Sequence, residues 1–97
     1  MKLKVEISLL KNGRINPIKV GYRPHMVSVG GQGDFGVIEI FDKNIINPGE
    51  TFEGIILIAN PLIFKEFLEN SPFAIYEGKK IVGTGKILKI LGEKAVH

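Results

Sequence analysis

The sequence predicts an all-β fold: a small six-stranded antiparallel closed β-barrel. Three observations carry that expectation. Polar and apolar residues alternate with a period of two from Lys2 to Leu9, the pattern of a strand with one buried face. Turn chemistry recurs at Asn12-Gly13, at Asn47-Pro48-Gly49-Glu50 and at Glu77-Gly78-Lys79, each flanked by apolar runs. Helical spacing occurs once, from Leu62 to Glu69, where Ile63, Phe64, Phe67 and Leu68 would share a face.

Taken in order, the first strand points Leu3, Val5, Ile7 and Leu9 inward. Asn12-Gly13 then turns the chain, since both residues tolerate positive φ. The stretch holding Pro17 and Pro24 is expected to be irregular or edge-like, with a short strand at Met26 to Val29. After the glycine-rich Gly30 to Gly36, Val37 to Phe41 reads as another strand. Asn47-Pro48-Gly49-Glu50 is a type II turn signal, with proline presetting φ and glycine accepting positive φ. Thr51 to Ala59 is a long apolar strand stopped at Asn60-Pro61, and Leu62 to Glu69 a short helical turn or structured loop. Last comes a hairpin, Phe73 to Leu88, turning at Glu77-Gly78-Lys79. Its return strand carries Gly83 and Gly85 on one face, which calls for a bend or a close approach of another backbone. Ile81 and Ile87 share one parity and Leu88 and Ile90 the other, so a bulge is expected near Ile87.

Ninety-seven residues make one domain, 1–97, and a chain of this length buries roughly two thirds of its unfolded surface. There are no cysteines, which excludes disulfides and thiolate metal sites and fits a reducing compartment. With His25 and His97 the only histidines, no metal cluster is expected. The N-terminus lacks a signal-peptide apolar region because Glu6 interrupts it, and the longest apolar run, Ile55 to Ala59, is too short to span a bilayer. A soluble, cytoplasmic protein without a membrane partner is the expectation. The net charge of +3 is too mild to mark a nucleic-acid binder by itself. Lys79, Lys80, Lys86, Lys89 and Lys94 crowd the last hairpin, and a solvated strand face is the ordinary reason for such a group.

Catalytic motifs fail in turn. Gly31-Gln32-Gly33-Asp34-Phe35-Gly36 matches the GxGxxG dinucleotide fingerprint, but a β-pattern follows where the phosphate needs a helix N-terminus. The same letters imitate a kinase glycine loop and a DFG element, which in a kinase are separate parts on opposite sides of ATP. Gly85-Lys86 ends like a P-loop, yet Lys80 stands at its first glycine and Ile87 at its Mg²⁺-binding hydroxyl. His25 has no recognisable nucleophile and orienting acid around it. No enzyme activity, cofactor or bound nucleotide is expected.

From Lys2 to Leu91 the chain carries, in order, Asn12-Gly13-Arg14, Gly21-Tyr22-Arg23-Pro24, Gly36-Val37-Ile38-Glu39, Pro48-Gly49, Asn60-Pro61, Phe73-Ala74-Ile75, Glu77-Gly78, Val82-Gly83 and Gly85. In their order and spacing these motifs resemble the third domain of elongation factor Tu. The resemblance implies a six-stranded antiparallel barrel that does no chemistry, packs on a GTP-binding domain, contacts the T-stem of tRNA and meets an exchange factor. No counterpart of the GTP-binding domain is present in the sequence, so GTP hydrolysis is not carried over. Arg14, Glu77 and Gly78 match the family's RNA-contacting residues, whereas Ile15 replaces a histidine, His25 a glutamine and Phe35 a threonine, and Asn60 stands at a position that can be lysine.

Two functional readings follow. The first is a non-catalytic binding module touching tRNA or a protein of the translation apparatus. RNA would be met by Arg14, His25, Asn60, Glu77, Gly78, Lys79 and Lys80, with Lys86 a possible extension of the cationic edge. The second is a protein-interaction module outside translation, a regulator or immunity-type partner. A protein would be met by Met26, Phe35 and Phe64, because aromatic and methionine side chains make good desolvated anchors.

Overall fold

A computed structural model describes residues 2–28, 33–41, 45–58 and 69–92. The described residues form eight strands: β1 (Lys2–Leu9), β2 (Ile18–Lys19), β3 (His25–Ser28), β4 (Gly33–Phe41), β5 (Ile45–Ile46), β6 (Thr51–Ile58), β7 (Pro72–Glu77) and β8 (Lys80–Gly92). Six of them pair antiparallel in the order β1-β6-β4-β3-β7-β8, and β8 pairs back onto β1. The all-β, six-stranded antiparallel architecture is the one the alternation predicts. The fully closed wall is met only in part. Long strands β8, β1, β6 and β4 make a continuous curled half-barrel, while the far side rests on β3, a strand of four residues.

Alternation sets the interior. Leu3, Val5, Ile7 and Leu9 of β1 are buried, as are Phe52, Ile56 and Ile58 of β6, Phe73 and Ile75 of β7, and Val82 and Ile87 of β8. Fully burying side chains of this size stabilises by about 1.5–3 kcal/mol each. The outer wall is polar: Ser8 and Thr51 share a hydroxyl hydrogen bond of 2.9 Å, and Lys4 pairs with Glu53 at 3.7 Å.

Asn47 to Glu50 forms the expected turn. Glu50 N–H donates to the Asn47 carbonyl at 3.1 Å, with Gly49 at φ 90°. In the last hairpin Glu77 faces Lys80, and Gly78 takes φ 62° while Lys79 keeps a negative φ, the type II′ pattern that matches strand twist. The bulge expected near Ile87 is present: Lys4 faces Lys89 and Val5 faces Ile87, so Leu88 is the extra residue.

Two expectations change. Asn12-Gly13 does turn the chain, with Gly13 N–H donating to the Leu10 carbonyl at 3.1 Å, but neither residue has positive φ. Glycine is needed there for room, since an added Cβ would stand 2.8 Å from the Val82 Cα. The proline-containing segment is edge-like as expected: its two-residue β2 pairs with β5 alone in a two-stranded sheet, and Ile18 and Ile46 are buried. Met26, expected as an exposed protein anchor, is 0% exposed. Its place in β3 opposite Ile75 points it into the core, because the β3 alternation runs from half-buried His25 inward to Met26. The helical turn expected from Leu62 lies outside the described residues up to position 68, and Glu69-Asn70 is a turn.

Candidate functional site

One end of the barrel gathers side chains from three segments. The loop after β1 supplies Arg14, the connection from β2 to β3 supplies Tyr22, and the end of β7 supplies Glu77. Arg14 Nη1 and the Tyr22 hydroxyl both donate to Glu77 Oε2. The guanidinium lies 4.9 Å from the centre of the Tyr22 ring, within range of cation–π attraction. Arg14 Nε donates to the Asn16 carbonyl at 2.7 Å, so the guanidinium is held on three sides and its side chain is only 18% exposed.

The electrostatics follow from that packing. Burial, then the hydrogen bond and negative charge of Glu77, push the Tyr22 phenol up to about 12, with Arg14 pulling in the opposite direction. The phenol therefore stays a proton donor to Glu77 throughout the physiological range. One carboxylate receives both donors, and the charge pair is internally balanced.

The RNA candidates divide by position. Arg14 and Glu77 come together, but as partners of each other. Gly78 and Lys79 form the exposed hairpin tip beside them, and Lys80 lies directly across from Glu77. His25 faces Tyr76 of β7, one step from Glu77. It is half-buried and interacts with its surroundings, and its Nε2 crowds the space above Gly33. Lys86 stands six positions along β8 from Lys80, against Glu6 of β1, roughly 20 Å away at the rise of a strand. It belongs to the outer wall and not to this end. Asn60 and Phe64 lie outside the described residues. Phe35 pairs with His25 through its described backbone.

Two residues of this end were not singled out by sequence reasoning. Tyr22 was visible only as part of Gly21-Tyr22-Arg23-Pro24. Ile15, noted in the sequence only as the residue replacing a family histidine, sits between Arg14 and Asn16 and is 94% exposed. Leu10 on the same loop and Ile81 next to the β7–β8 turn are each 38% exposed, and Val20, in the connection that supplies Tyr22, is 53% exposed. Among the described residues no group of three or more histidine, cysteine, aspartate or glutamate side chains could hold a metal ion, and no helix is long and apolar enough to cross a membrane. No family model matches the chain.

Proposed function

We propose that this chain is a non-catalytic binding module of translation-factor type, a barrel resembling the third domain of elongation factor Tu. Its contact surface is the end built by the Arg14 loop and the β7–β8 hairpin, and its partner is a protein of the translation apparatus. The observation that carries this reading is the convergence of Arg14, Tyr22 and Glu77 on one carboxylate oxygen. It supports a rigid recognition end, and it favours a protein over RNA. Of the three matching RNA-contact residues only Arg14 carries the positive charge a phosphate needs, and that charge is already matched by Glu77.

RNA contact is the second reading, favoured by exposed Lys11, Lys79 and Lys80 at the same end. A titration of labelled tRNA at two salt concentrations separates the two. The protein reading expects no saturable binding at low salt, and Arg14→Ala changes nothing in that assay. RNA contact through Arg14 would instead give binding that falls with salt, with the slope shallower by about one unit in Arg14→Ala. Turnover of any nucleotide would sink both readings.

A further inference from the structure

The loop after β1 is fastened to the hairpin at two points. Leu10 N–H donates to the Val82 carbonyl at 2.9 Å, and Arg14 pairs with Glu77. Between these fastenings Gly13 packs against the Val82 backbone, so closely that an added Cβ would stand 2.9 Å from its carbonyl oxygen. Beyond them, the bond from Arg14 Nε to the Asn16 carbonyl closes a small ring around residue 15. Ile15 is therefore held out into solvent by a braced bend, with 94% of its surface exposed. Single exposed aliphatic residues are common on protein surfaces. Here three of them, Leu10, Ile15 and Ile81, lie on two segments that are tied together.

Apart from the Arg14–Glu77 pair, the charges on these two segments have one sign. Lys11, Lys79 and Lys80 are exposed on the same loop and hairpin. The acids nearby are engaged: Glu77 accepts from Arg14 and Tyr22, and Glu50 accepts the Asn47 N–H at 2.7 Å. Exposed aliphatic side chains beside lysines, with the Glu77 carboxylate paired to Arg14, are complementary to an acidic protein segment carrying apolar side chains. Phosphate groups would satisfy the lysines and leave Ile15 in water. Because the loop is fastened before any partner arrives, docking costs little ordering entropy.

Building on the protein-binding reading above, we propose that Leu10, Ile15 and Ile81, flanked by Lys11, Lys79 and Lys80, dock an acidic, apolar-anchored segment of a protein partner. The probe is a short labelled synthetic peptide with a Leu-Phe-Leu core between Glu-Asp flanks, followed by fluorescence anisotropy on the full chain. Companion peptides carry Lys flanks or a Ser core, and single-stranded oligouridylate serves as the nucleic-acid comparison. The acidic apolar peptide should bind and the two companions should not. Ile15→Ser should weaken binding about tenfold, as should Lys79→Gln with Lys80→Gln, while thermal midpoints stay unchanged because these side chains are exposed. The proposal is overturned by absence of peptide binding, by equal binding of the Ser-core peptide, by an Ile15→Ser chain that binds as well as the parent, or by oligouridylate displacing the peptide. Peptide failure without tRNA binding removes this docking chemistry alone; saturable tRNA binding removes the protein reading beneath it.

Discussion

An added Cβ at Gly85 would overlap the ring of Phe73, which is itself buried in the core. The overlap is with a side chain, and a cavity lined by Val27, Ser28, Pro72 and Ala74 borders that ring, so Gly85→Val must either push the ring out of the core or force β8 away from β7. Overpacking of this kind costs about 1–3 kcal/mol, read as a lower urea midpoint at unchanged slope. Phe73→Leu should recover part of that loss in the double variant, since it removes the overlapping atoms. Tyr22 makes a different residue-scale prediction. Its phenol is held from an ordinary 10.0 up to about 12, so the folded state favours the neutral form. The stabilisation this represents is complete below pH 10 and is lost as pH rises towards 12. Urea midpoints of the parent should therefore fall across that window more steeply than those of Tyr22→Phe, which has no phenol to ionise. Parallel slopes for the two chains would show that neither burial nor Glu77 raises the Tyr22 phenol in the folded state.

At the scale of elements, what decides legibility is length. β1, β6 and the β7–β8 hairpin are long enough for a period of two to show, and Gly49 and Gly78 sit in turns whose chemistry is local. β2 and β5 are two residues each, too short for any period, and their pairing is made only across the fold. Met26 was misread for a related reason: four residues of β3 do not reveal which parity faces inward. Arg14 and Glu77 were both named as site residues, but their bond joins positions 63 apart, and no local pattern reports that a candidate phosphate ligand is already paired. Gly13 shows the same limit. Its turn was legible, and the close approach of β8 that requires a glycine was not. Gly13→Ala tests that reading, because the obstructing atoms belong to the Val82 backbone, 2.8 and 2.9 Å away, and cannot rotate aside. The expected loss is about 1–3 kcal/mol. Ile15→Ser, two residues later and exposed, should cost almost nothing, and equal losses at both positions would show that the loop is not fastened to β8.

For the molecule as a whole, the decisive contact is the ladder between its first and last strands. Val5 faces Ile87 and Ser8 faces Thr84, so the chain must bring together residues from opposite ends before either strand is fully paired. β8 also supplies the other half of the hairpin with β7 and buries Val82 and Ile87. Without it, β1 and β7 each lose a neighbour and expose a row of unpaired backbone groups. Two consequences follow from that dependence. Non-local pairing delays the contacts that offset chain entropy, so refolding should take on the order of milliseconds to seconds. A chain ending at Gly78 should have no cooperative urea transition, because the remaining strands no longer enclose a common core. Stopped-flow refolding of the parent and equilibrium unfolding of the shortened chain measure these directly. A sharp transition in the shortened chain would mean that β1, β6 and β4 form a stable unit by themselves, and that the first-to-last ladder does not hold the fold.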